Sequence, residues 1–151
     1  MKTILVALDF SDISDRLVTT AATIAQAFGA RLVLLHVSEP EPDFVGFDTG
    51  PMVVRSAVAR DFRAEHQHLE EARALAARSG IETTALHIQG GLVEKILSQA
   101  ETHAAELIVI GSHGHGALYD LLVGGVASGV LRGAKCPVLV VPSRTKTKTS
   151  K

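Results

Sequence analysis

The sequence predicts a single-domain α/β fold in which helices cover both faces of an open, parallel, five-stranded sheet. Three observations carry that expectation. Five short runs of aliphatic and β-branched residues recur along the chain, segments of helical spacing separate them, and 151 residues suit one domain with a sizeable core. Strand–helix alternation with right-handed crossovers leaves a parallel sheet as the natural arrangement.

The first run is Ile4–Leu8, the second Arg31–Val37, the fourth Glu106–Gly111 and the fifth Pro137–Val141. These are nearly continuous apolar stretches, as expected of strands covered on both faces. The third, Glu82–Ile88, is more mixed and suits a strand nearer an edge. Between the first two runs, Leu17, Ala21, Ile24, Ala25 and Phe28 fall on one helical face, with Ser11 as the expected N-cap and Gly29 as the C-terminal left-handed residue. A longer helix is expected from about Val53 to Ser79, with Val54, Ala57, Val58, Phe62, Leu69, Ala72 and Ala76 as its buried stripe. The segment Leu92 to His103 reads as a third helix, turning Val93, Ile96, Leu97 and Ala100 inward, and Gly124 to Gly133 as a fourth. Ser38–Met52 carries three prolines and two glycines and reads as a long loop of the kind that serves as a lid. The domain is expected to occupy residues 1–143, and residues 144–151 to form a disordered basic tail.

Composition excludes several classes. Fifteen basic residues against sixteen acidic ones lack the excess of a nucleic-acid footprint. No apolar run approaches the ~20 residues that cross a bilayer, and the N-terminus is too short and too charged for a signal peptide. The single cysteine, Cys136, needs no oxidising compartment and reads as a buried small apolar residue. The expected location is the cytoplasm, without nucleic-acid or membrane partners.

In open α/β sheets a ligand sits beyond the carboxyl ends of the strands, where strand order reverses. With the order 2-1-3-4-5, Asp9 would face Gln89-Gly90-Gly91; with 3-2-1-4-5, it would face Gly111-Ser112-His113-Gly114-His115-Gly116. The second is preferred because its loop is richer in phosphate-binding chemistry. Glycines let the backbone approach a ligand closely, and successive amides form an anion-attracting concavity. A helix starting near Gly124-Gly125 would add its free amides and positive dipole end. The same glycines could be turn punctuation, and Asp9 could cap the first helix instead of meeting a ribose.

Gly111-Ser112-His113-Gly114, nine residues, then Gly124 resembles the motif of the universal stress proteins, G-x2-G-x9-G followed by Ser or Thr. The opening Ile4-Leu5-Val6-Ala7-Leu8-Asp9-Phe10-Ser11, the run Leu34-Leu35-His36-Val37 and the closing Cys136-Pro137-Val138-Leu139-Val140-Val141-Pro142 are similar to the family's strands. The resemblance implies an adenine nucleotide alpha-hydrolase-like fold of strand order 3-2-1-4-5. It also implies a homodimer and a stress-response module that binds ATP or AMP, with Mg2+ as a candidate companion. By position it implies that Ala7, Leu8 and Asp9 line the adenosine, that Val37 meets adenine through its backbone, and that Gly111 and Gly114 approach ribose and phosphate. Gly124, Gly125 and Val126 would offer amides to the phosphates, and Ile110, His113 and Ala127 complete the implied set. Two departures stand out: Gly125 and Ala127 occupy positions where the family usually has hydroxyls, and Ser128 is out of register. A hydrogen bond to a charged group contributes roughly 1.5–3 kcal/mol, so triphosphate binding should be weaker than with the full motif.

No dinucleotide fingerprint, P-loop or nucleophile elbow is present, so the chain reads as a binding module. The resemblance leaves slow ATP hydrolysis or autophosphorylation open. The alternatives are a nucleotide-free dimeric scaffold acting through protein–protein contacts, and a metal-binding protein using some of the seven histidines, with His113 and His115 as candidates. His36 and His87, in strands, are expected to be hydrogen-bonded near the sheet edge. Strand five, Pro137 to Val141, offers an apolar, potentially unpaired edge that would pair with a second copy.

Overall fold

Residues that alternate between two apolar environments build the sheet. A computed structural model describes residues 1–40, 52–112 and 124–143. The strands are β1 (Thr3–Leu8), β2 (Arg31–Ser38), β3 (Thr83–Gln89), β4 (Leu107–Gly111) and β5 (Val138–Val141). The helices between them are α1 (Ser14–Phe28), α2 (Met52–Ala77), α3 (Leu92–Thr102) and α4 (Gly125–Gly133). All four strand pairings are parallel, in the order β3-β2-β1-β4-β5. The chain therefore leaves the sheet centre at β1, returns across it to β4, and reverses direction between those two strands.

The period of two along each strand divides the core. Ile4, Val6, Leu32, Leu34 and Val109 pack against Leu17, Val18 and Ala21 of α1 and Leu69, Ala72 and Ala76 of α2. Leu5, Val33, Leu35, Ile108 and Ile110 pack on the other face, against Ile96 and Ala100 of α3 and Ala127 and Val130 of α4. The mixed run became edge strand β3, half-exposed along most of its length. Among the described residues, no helix is long and apolar enough to cross a membrane.

Local chemistry sets the helix ends. Gly29 closes α1 in the left-handed region, φ 63° and ψ 35°, and its amide returns to the Ala25 carbonyl. At the other end the expected Ser11 cap is corrected. Helix α1 starts at Ser14 after Ile13 with no side-chain cap, and Ser11 instead gives its carbonyl to the Ser14 amide at 3.0 Å. The turn is displaced because Phe10 takes φ 57°, unusual for a bulky residue, and spends extra chain at the end of β1. One expected core aromatic, Phe62, is also corrected, and Phe28 joins it outside the core. Phe28, in the last turn of α1, is 61% exposed, and Phe62, above edge strand β3, is 44% exposed. Helix α4 lies close to α3 because a Cβ at Gly129 would stand 2.7 Å from Val93 Cγ2, and one at Gly133 2.5 Å from Leu97 Cδ1.

Candidate functional site

The reversal of strand order places the carboxyl ends of β1 and β4 side by side. Beyond β4, Ser112 is buried and tied on three sides. Its amide donates to the Val141 carbonyl at 2.9 Å, its carbonyl accepts from the Gly124 amide at 2.6 Å, and its hydroxyl accepts from the Ser143 amide at 3.1 Å. The Gly124–Ser112 bond brings the start of α4 against the end of β4. Gly124 is extended at φ −67° and ψ 165°, and among the described residues no side chain caps the helix. The opening amides of α4, from Gly125 to Ala127, thus lack acceptors within the helix and carry its positive dipole end. Among the described residues, a Cβ built on Gly125 would meet nothing within 4 Å.

The structure gathers most of the described candidates around that point. Ala7, Val37, Ile110, Val126 and Ala127 share the apolar cluster between the sheet and α3–α4. Leu8 is buried on the other face, and Gly111 is half-buried at the end of β4. Asp9 lies half-buried past the end of β1, where its Oδ1 accepts from the Ser11 amide at 3.0 Å. That bond closes a local turn and does not cap α1, which begins at Ser14 without a side-chain cap; the other carboxylate oxygen of Asp9 is the candidate for a ligand. His113, Gly114 and His115 lie outside the described residues, as do the tail and most of the Ser38–Met52 loop. A separate groove of about 480 Å³, lined by Lys2, Arg31, Gly80 and Glu82 among others, sits at the amino ends of the strands, away from this crevice.

A second constellation went unrecognised in the sequence. His36 and His87 are register partners near the ends of β2 and β3, and Glu65 of α2 lies over both. His36 is not at an edge, as expected, but 7% exposed on an interior strand. Its Nδ1 lies 2.8 Å from the Leu8 carbonyl, which only accepts, so Nδ1 carries the proton. Its Nε2 is 3.5 Å from Glu65 Oε1 and, among the described residues, has no hydrogen-bond partner. His87 Nε2 lies 3.1 Å from Glu65 Oε2 and 3.0 Å from Ser38 Oγ. Burial, the largest cause, pushes the His87 imidazole below its ordinary value; His36 adds to the shift and Glu65 opposes it. A signal for the cluster was present. Glu65 shares the helical stripe of Leu69, Ala72 and Ala76, and His36 shares the strand face of Leu32 and Leu34.

Comparison with known proteins matches this architecture. The Universal stress protein family model fits residues 1–142. A protein of Thermus aquaticus, the universal stress protein in the QAH/OAS sulfhydrylase 3′ region, is 40% identical over 140 residues, covering 93% of this chain and 98% of that one. The solved structure of MJ0577 shares the fold at a TM-score of 0.81, with 23% identity over 96% of this chain and 98% of that chain. A universal stress protein solved in complex with cAMP is 26% identical, with a TM-score of 0.70 over 93% of this chain and 96% of its own. With the family model spanning nearly every residue and the strand order reproduced, this chain belongs to the universal stress protein family.

Proposed function

We propose that the protein is an adenine-nucleotide-binding module of the stress response, with the ligand in the crevice between the ends of β1 and β4. The observation that carries this reading is the 2.6 Å bond from the Gly124 amide to the Ser112 carbonyl, which sets the uncapped start of α4 beside Gly111. Amides at a helix N-terminus over a glycine turn suit a phosphate. Ala7, Val37 and Ile110, on one face of the sheet, would give the adenosine apolar walls, Leu8 would contribute main chain, and the second oxygen of Asp9 would accept from a ribose hydroxyl. The solved relative that holds cAMP supports the adenine class. In this reading ATP or AMP is the ligand, with Mg2+ beside the phosphates of the former. The protein works in the cytoplasm as a homodimer joined through β5, and binding rather than catalysis is its output.

Calorimetric titration with ATP, ADP and AMP, each with and without Mg2+, tests the reading. Saturable heat with at least one of them is expected, and Gly114→Val should remove it while leaving the circular dichroism spectrum intact. Absence of heat with all three would leave a nucleotide-free scaffold acting through protein contacts. Two observations favour that second reading: an oxygen of Asp9 is already bonded to Ser11, and the positions of two family hydroxyls are Gly125 and Ala127.

A further inference from the structure

We infer that His36, Glu65 and His87 form a binding site for a divalent transition metal, Zn2+ by its donor set, that fastens α2 to the carboxyl ends of β2 and β3. This site is separate from the glycine-rich crevice and does not depend on nucleotide binding there.

The argument starts with the proton on His36. The Leu8 carbonyl holds it on Nδ1, so Nε2 is the nitrogen left to present a lone pair to a metal. That lone pair is buried, has no hydrogen-bond partner among the described residues, and lies 3.5 Å from a carboxylate oxygen. Two acceptors at that distance need a positive charge between them. A proton on Nε2 would serve one nitrogen–oxygen pair. A single metal ion would serve His36, Glu65 and His87 together, since one ligand atom from each lies within 4.8 Å of the others. Zn2+ bonds of 2.0–2.1 Å place tetrahedral ligand atoms about 3.3 Å apart; His36 Nε2 stands 3.5 Å from Glu65 Oε1 and His87 Nε2 3.1 Å from Glu65 Oε2, so the one carboxylate meets the two rings at this spacing through its two oxygens.

The surroundings match a metal centre as well. Ligating histidines characteristically donate their second nitrogen to a carbonyl, which fixes the tautomer and the ring, as His36 does to Leu8. Phe10 lies 4.2 Å from the His36 ring, and Phe62 stacks on His87 at 4.5 Å and 19°, so apolar groups hold both planes. Two imidazoles and one carboxylate are a borderline-soft set that favours Zn2+ over Mg2+ or Ca2+. Three protein ligands leave a fourth position open on the side of Glu65, which is 32% exposed, for water or a small anion.

The test titrates the full chain, stripped with a chelator, with Zn2+ alone and follows Co2+ substitution by visible absorption. The expected result is one Zn2+ per chain with a tetrahedral Co2+ spectrum. Glu65→Gln and His87→Asn should each weaken Zn2+ at least tenfold, while His103→Asn and the exposed-helix pair His66→Asn/His68→Asn should leave it unchanged. Addition of Zn2+ to the wild type should also move the ring signals of His36 and His87 in NMR spectra, a readout that needs no variant. Undiminished binding in Glu65→Gln and His87→Asn would overturn the assignment. Loss of binding only in His113→Asn/His115→Asn would overturn it in favour of the glycine loop. No binding at millimolar Zn2+ would leave His36 and Glu65 as a simple ion pair.

Discussion

Gly125 occupies the position where the proposed phosphate would meet a hydroxyl in the full motif. Among the described residues a Cβ there has no neighbour within 4 Å, and the residue is exposed at the first turn of α4. Gly125→Ser should therefore fold normally and add a donor to a bound phosphate. With roughly 1.5–3 kcal/mol for a hydrogen bond to a charged group, triphosphate affinity should rise by about tenfold or more; unchanged affinity in calorimetry would argue against a phosphate at this helix. Cys136 behaves in the opposite sense, through burial. Desolvation raises its thiol above the ordinary value, with its own backbone hydrogen bond opposing. A raised acid favours the neutral thiol in the folded protein, so alkylation by iodoacetamide near pH 8 should be slower than in urea and should accelerate as pH rises. At this scale the sequence pointed to main-chain chemistry at Gly111 and Gly124, which the Gly124–Ser112 bond sets close together. It was unreadable at His36, Glu65 and His87, because these sit on three separate elements and meet only when α2 lies over β2 and β3.

Helices α3 and α4 approach through missing side chains rather than through interlocking ones. Val93 and Leu97 of α3 fill the space that Cβ atoms at Gly129 and Gly133 would need. Gly129→Val would put branched carbon against the stiff side chain of Val93, and overpacking of this kind costs about 1–3 kcal/mol. Urea unfolding should show the midpoint falling at unchanged m-value, whereas Gly125→Ala in the same helix should cost far less, since Gly→Ala or Val does not lower helix propensity; equal losses would mean that contact with Val93 does not set the penalty. The elements themselves were legible because apolar runs and helical stripes are local patterns, and every strand and helix appeared where periodicity placed it, within a few residues. The start of α1 was not legible. A left-handed Phe10 and the Asp9–Ser11 contact reset the turn, and neither follows from residue preferences. Phe62 departs for a similar reason: Leu69, Ala72 and Ala76 of the expected stripe are buried, but the sheet beneath the helix ends at β3.

At the scale of the whole molecule, strand order decides where things meet, and it was reached through loop chemistry because apolar patterning fits either order. The order β3-β2-β1-β4-β5 also leaves β5 at an edge, with only β4 beside it. The Ile108 amide donates to the Pro137 carbonyl and the Ser112 amide to that of Val141, so the main-chain groups of alternate residues face β4. Those of Val138 and Val140 consequently face outward, as a strip that a second β5 can pair with. The proposed homodimer depends on that strip. Val140→Pro would delete an outward donor without touching the ladder to β4, a substitution that edge strands tolerate. The wild type should sediment as a dimer and Val140→Pro as a folded monomer, with thermal unfolding of the wild type shifting upward with protein concentration and that of the variant staying fixed. A dimer that survives the proline would place the interface on another surface and leave the edge of β5 to some other partner.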